Sequence, residues 1–210
     1  VKGPAQVNIH RTIAWNPIAA LPGQRSQELT AELKRLYPAF EAWDNVLKVA
    51  LCNPNIISHP APTLMNLGRI EHSGGEFWLY KEGLTPSVLK VMEAQDAEKR
   101  SLLTALGMEV QSYWELGPRI RGMSFEEFRA RSSKGPFNKD SRYVTEEVPT
   151  GVALMSSLGK MLGVRTPISD ALIALASAVH ERDHLAEGRT VERLGIAGMS
   201  VQQLQAHLAG

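Results

Sequence analysis

The segment from Thr85 to Gly107 constrains the fold more than any other. Thr85 is a helix-capping residue type. Pro86 suits the first helical position, where a missing N–H removes no internal bond. Gly107 can adopt the left-handed backbone that closes a helix. Between them Val88, Val91, Met92, Leu102, Leu103 and Leu106 mark a buried stripe, and Glu93, Asp96, Glu98, Lys99 and Arg100 read as the wet face. Such a helix hides its stripe only against other elements, and the rest of the chain supplies mostly further helices.

Ser124 with Glu127 and Ser200 with Gln203 have the spacing of capping boxes. Thr150 precedes a pattern of Val152, Met155, Leu158, Met161 and Leu162 that Gly163 closes. Thr166-Pro167 opens another helix, whose Ala171–Val179 stretch is apolar all round and is therefore expected in the middle of the core. Trp43 to Leu51 is also apolar at helical spacing. The N-terminus differs. Val7, Ile9, Arg11 and Ile13 alternate with Asn8, His10, Thr12 and Ala14, which predicts a strand that Pro17 and then Leu21-Pro22-Gly23 break. Ser26 can cap a helix carrying Leu29, Leu33 and Leu36, ending near Pro38. The expected fold class is mainly α. Residues 1–38 are expected to be the last unit of an α/β domain, and residues 39–210 an all-helical domain.

Composition removes several function classes. The 23 Lys+Arg balance 22 Asp+Glu, so a net charge of +1 gives no reason to expect nucleic acid or an anionic membrane as partner. No apolar run approaches the length of a membrane span. Cys52 is the one cysteine, which points to a reducing, cytoplasmic setting; after Val49-Ala50-Leu51 it reads as an inert buried thiol. There is no Gly-x-Gly-x-x-Gly, P-loop, His-Glu-x-x-His or Cys-x-x-Cys, so neither a dinucleotide site nor a metal site is expected in this chain. The first residue is Val1 rather than Met, as expected of a fragment, a trimmed chain or one half of a larger enzyme.

Two loops carry the chemistry. Asn53 to Thr63 is proline-rich, and His59 precedes Pro60, which favours an extended backbone and a positioned imidazole fit for acid–base work. Ser141 to Gly151 offers Arg142, whose planar fork suits a carboxylate, and Glu147, which could orient a histidine. Each has a plainer reading that spacing alone favours: a histidine bonded to a loop carbonyl, and an exposed charged loop. His72, His180, His184 and His207 are expected on surfaces or near helix ends.

The segments His59-Pro60-Ala61-Pro62-Thr63-Leu64-Met65-Asn66-Leu67-Gly68-Arg69-Ile70-Glu71, Tyr80 to Val88, Arg142 to Gly151, Gly163 to Asp170 and Gly188 to Gly195 together resemble the NAD/NADP octopine/nopaline dehydrogenase family, in the right order and over nearly the whole chain from about Leu21. The resemblance implies a Rossmann domain that binds NAD or NADP, followed by a helical domain like the C-terminal domain of 6-phosphogluconate dehydrogenase. It implies reductive condensation of an amino acid with an α-keto acid. By the same resemblance His59 matches the catalytic histidine, and Arg142 the arginine that holds a substrate carboxylate. Glu147 stands where the family usually has an aspartate partnering that histidine, and Asn55, four residues before His59, is expected as a substrate contact. The nucleotide-binding half is expected upstream of these residues, and this chain alone is expected to be inactive. Two alternatives stay open: the helical domain of another 2-keto or 2-hydroxy acid dehydrogenase, and a non-catalytic domain for dimerisation or small-acid binding. A homodimer is compatible with either.

Overall fold

The computed structural model describes residues 13–210. It is a helical body with a two-stranded parallel sheet at one end. In chain order the elements are β1 Asn16–Ile18, α1 Ser26–Leu33, β2 Phe40–Ala42, α2 Val46–Leu51, α3 Asn55–Ser58, α4 Pro60–Met65 and α5 Leu67–His72. Then follow α6 Pro86–Ala105, α7 Tyr113–Arg121, α8 Phe125–Ala130, α9 Arg142–Thr145, α10 Ala153–Leu162, α11 Pro167–His180 and α12 Val201–Ala209. Short π-helical turns occupy Leu79–Gly83 and Val148–Val152. Fold class is thus mainly α, as the capping pattern predicts.

The strand expected at Val7–Ala14 lies mostly outside the described residues. The observed β1 instead contains Pro17, which the sequence suggested would break a strand. Proline is tolerated because the sheet bonds fall to its neighbours: Asn16 N–H donates to the Ala39 carbonyl and Trp43 N–H to the Ile18 carbonyl, both at 2.8 Å. Ser26 does not cap α1; its hydroxyl accepts from Ala20 N–H. Both expected capping boxes form, at Ser124–Glu127 and Ser200–Gln203, and Gly163 closes α10 in the left-handed conformation. Thr150 lies inside the π-helical turn rather than before a helix.

Two helices exchange the places expected of them. α6, not α11, runs through the centre, packed against α3, α4, α10 and α11. Of its supposed wet face, Asp96, Glu98 and Lys99 are buried, Arg100 is half-buried and Glu93 is exposed. These charges survive burial because each is paired. Lys99 Nζ lies 2.5 Å from Asp96, which also accepts from Tyr113 N–H. Glu98 caps α11 from a distance, accepting from Ile168 N–H, Ser169 N–H and Ser169 Oγ at 2.5, 3.0 and 2.7 Å. α11 lies at the surface, with Leu175 55% exposed beside exposed Ala171, Ala174 and Ala178. At its end Glu181 turns left-handed, and the chain folds back to bury His184 wholly, near the helix end as expected but away from the surface.

Candidate active site

His59 sits at the joint between α3 and α4. Its backbone is helical (φ −109°, ψ −62°), not extended as a residue before proline would favour. The local preference loses to hydrogen bonds on both sides of the joint. His59 N–H donates to the Asn55 carbonyl at 3.0 Å, and Thr63 N–H donates to the His59 carbonyl at 3.1 Å. Pro60 and Pro62 stand in the first turn of α4, where their missing N–H groups cost nothing. The loop expected from Asn53 to Thr63 is therefore two short helices, and the ring of His59 is fixed by them.

The opposite wall comes from α9 and the π-helical turn after it. Ser141 caps α9 by accepting from Tyr143 N–H. Glu147 follows α9, and its Oε1 lies 3.1 Å from His59 Nδ1. This approach depends on Gly151, four residues on. A Cβ there would stand 2.4 Å from Ile56 Cγ1, so only glycine lets the turn come up against α3. Both partners are buried, His59 at 4% and Glu147 at 2% exposure. Arg142 reaches the same carboxylate oxygen from outside, at 3.8 Å, and also meets Glu146 at 3.3 Å; its side chain is 57% exposed. His59, Glu147 and Arg142 are thus brought together, with the guanidinium at the solvent side.

Two tyrosines complete the setting. Tyr143 stacks on the imidazole, and Tyr80 stands at 6.4 Å from it, tilted. Burial pushes the His59 pKa below its ordinary value; Glu147 opposes that shift, while Arg142 and Arg121 add to it. Burial, with Tyr143 beside it, pushes the Tyr80 phenol up. The arrangement holds a neutral imidazole whose Nδ1–H points at a carboxylate, leaving Nε2 free to take a proton.

Asn55 stands elsewhere. It lines a cavity of about 380 Å³ with Asn53, Arg121 and the start of β1, next to the His59 site but not around the imidazole. Tyr143, Tyr80 and Arg121 were not singled out from sequence, although Tyr143 and Tyr80 fall inside two of the resembling segments. Cys52 is buried, and burial raises its thiol to about 11, as expected of an inert thiol. No group of three or more metal-ligating side chains gathers among the described residues. None of the described helices is long and apolar enough to cross a membrane.

Among the described residues a dinucleotide fits neither strand–turn–helix unit: the turn from β2 to α2, Trp43-Asp44-Asn45, has no glycine. The turn after β1 has Gly23 alone, and a Cβ there would stand 2.2 Å from the Asp44 carbonyl oxygen, so its backbone is pressed against protein rather than open to a pyrophosphate.

A family model described as "NAD/NADP octopine/nopaline dehydrogenase, alpha-helical domain" matches residues 42–180, two thirds of the chain. The chain belongs to that family. The matched region of the octopine/nopaline dehydrogenase domain holds His59, Arg142, Glu147 and both tyrosines. An opine dehydrogenase from Arthrobacter sp. (strain 1C) is 34% identical over 211 residues, covering 97% of this chain and 58% of that protein. A vitopine synthase from Allorhizobium ampelinum is 23% identical over 194 residues, covering 88% and 54%. Two solved structures of octopine dehydrogenase share the fold at 17% identity. One, with NADH and pyruvate, has a TM-score of 0.61 and covers 84% of this chain and 53% of that one. The other, with NADH and L-arginine, has a TM-score of 0.66 and covers 86% and 54%. The chain spans a little over half the length of these relatives.

Proposed function

We propose that this chain is the substrate-binding and acid–base half of an opine-type dehydrogenase, which condenses an amino acid with an α-keto acid and reduces the product with NAD(P)H. The nucleotide is held mainly by a part of its domain outside the described residues, and reduction itself is the nucleotide's chemistry. The reading puts residues 1–38 at the close of that α/β domain and residues 39–210 in the helical one, with β2 just past the boundary.

The observation that carries this reading is the His59–Glu147 pair, with the Arg142 guanidinium beside the same carboxylate. His59 Nε2 takes a proton from the substrate ammonium and frees the amine to attack the keto carbon. The imidazolium, stabilised by Glu147, then returns that proton to the departing hydroxyl, which leaves as water. The net change is ammonium plus ketone to iminium plus water, with charge conserved. Arg142 grips a substrate carboxylate in two bonds at the solvent side, within reach of the ring. Asn55 is assigned as a further substrate contact on the wall next to it.

The test is the thermal shift of this chain with pyruvate plus L-arginine, and with other L-amino acids, in wild type and Arg142→Ala. A ligand-induced rise that Arg142→Ala abolishes is expected. A rise that survives the substitution removes Arg142 from its role. In a form that includes a nucleotide-binding domain, His59→Ala should abolish most turnover and leave nucleotide affinity unchanged. Full turnover would end the acid–base assignment.

A further inference from the structure

Arg121, the last residue of α7, is a buried guanidinium without a carboxylate. It is 9% exposed and forms no ion pair among the described residues. Its contacts are the Phe128 ring, 4.1 Å from its guanidinium carbon, the Tyr113 ring at 5.7 Å, and the Tyr113 hydroxyl at 3.5 Å. Aromatic faces offset part of the cost of burying a cation, but they leave its N–H fork unfilled. Nearby carboxylates are committed elsewhere: Asp96 to Lys99 and Arg100, Glu147 to His59. Residues 1–12 contain no Asp or Glu, so they hold no counter-ion for it.

The surroundings are shaped for this side chain. A Cβ on Gly117, one helical turn earlier, would stand 2.5 Å from Arg121 Nη1, so the glycine makes the space in which the guanidinium folds back. Arg121 lines the cavity of about 380 Å³ together with Asn16, Asn53 and Asn55, and no acidic residue is on its wall. The thiol there, Cys52, is held protonated by burial. Four other cavities that carry a Lys or Arg, such as the one with Lys48 and Glu109, carry an acid as well. Asn55 opens α3, one turn ahead of His59, and Phe128, over which the Arg121 guanidinium lies, packs on Tyr80 at 4.4 Å, itself 6.4 Å from the His59 ring, so the guanidinium stands two rings away from the imidazole.

We infer that Arg121, with Asn53 and Asn55, forms a second carboxylate-binding subsite, so that the two carboxylates of an amino acid joined to a keto acid are divided between Arg142 at the solvent side and Arg121 in the cavity. The inference rests on the proposed function, because it is a condensation of two acids that requires two such sites. Arg121 then selects for substrates whose carboxylate can reach the cavity while the reacting nitrogen stays at His59. It is a binding residue, and the counter-charge it lacks is the ligand's.

The experiment is calorimetric titration of this chain with iminodiacetate, the smallest secondary-amine dicarboxylate, and with N-methylglycine, which has one carboxylate fewer. Wild type, Arg121→Met, Gly117→Ala and Arg142→Ala are compared, each checked for a native melting transition. Wild type should prefer iminodiacetate, and Arg121→Met should weaken it by about tenfold or more while leaving N-methylglycine little changed. Gly117→Ala keeps the charge and favours the helix, yet displaces the guanidinium, and should weaken iminodiacetate in the same direction. It also decides the matter if Arg121→Met does not fold. Wild-type affinity for iminodiacetate in both of these variants overturns the Arg121 subsite, with the Arg142 site intact. Loss in the Arg121 variant with none in Arg142→Ala overturns the proposed role of Arg142 and keeps the subsite. No binding of iminodiacetate to wild type overturns both.

Discussion

The ring of Tyr143 lies parallel to the imidazole of His59, 3.9 Å away and within 10°. Tyr143 follows Arg142 directly, so the residue proposed to grip substrate and the residue that stacks on the His59 ring share one turn of α9. A stacked pair of this kind contributes about 0.5–1.5 kcal/mol beyond its buried area, and here it also stops the ring rotating away from Glu147.

Replacing that stack tests its role as positioning. Tyr143→Phe keeps the aromatic face and should retain near-wild-type turnover in the enzyme with its nucleotide-binding domain. Tyr143→Ala removes the face and should lower kcat by roughly tenfold to a hundredfold, the cost of a misplaced reacting group. Equal activity of the two variants would reduce Tyr143 to packing.

The His59–Glu147 pair makes a prediction about pH. Burial holds the His59 pKa below 6.5, so the ring is neutral at neutral pH, and kcat/KM should fall only as pH drops through that lowered value. Glu147 works against the shift. In Glu147→Gln the acid limb should therefore move to still lower pH, while kcat falls by about a hundredfold or more because the imidazolium loses its counter-charge. Glu147→Asp, the residue usual in the family by resemblance, draws the carboxylate back by about 1.5 Å and should give an intermediate rate. An acid limb that does not move in Glu147→Gln would show that Glu147 does not set the proton affinity of His59.

The buried end of α6 predicts a loss of stability without a loss of chemistry. Glu98 satisfies three donors at the start of α11, all removed from water. Glu98→Ala leaves them unpaired and should cost about 2–3 kcal/mol in urea unfolding. A cost below about 0.5 kcal/mol, the size typical of surface changes, would mean that the cap contributes nothing.

That same helix shows where sequence reading stops. The capping boxes at Ser124 and Ser200 and the closing glycine at Gly163 were legible because each is complete within a few residues. Glu98 looked wet because a charge is read as exposed until its partner is known, and its partner, Ser169, is set by packing; Lys99 has Asp96 one turn away on the same helix, and it is the burial of that pair that packing decides. α11 looked central because small and apolar residues surround its axis, yet the face with Leu175 is exposed among the described residues. His59, Arg142 and Glu147 were legible as chemistry, chiefly through the resembling segments, while the helical backbone at His59 was not. Arg121 carried no local mark at all beyond Gly117 four residues before it.

Gly151 provides the sharpest check on how the site is assembled. Its missing side chain admits Ile56 of α3, and α3 leads directly to His59. Gly151→Ala and, more strongly, Gly151→Val must push the π-helical turn off α3. Overpacking of this kind destabilises by about 1–3 kcal/mol. The effect on activity should be larger than that on folding, because Glu147 is carried on the displaced turn and hydrogen bonding to His59 Nδ1 tolerates little movement from 3.1 Å. At a temperature where Gly151→Val is still fully folded by circular dichroism, turnover should fall by about a hundredfold, and the chemical shift of His59 Nδ1 should move toward that in Glu147→Gln. Wild-type turnover in the folded variant would mean that the approach of α3 to the π-helical turn does not set the geometry of the pair.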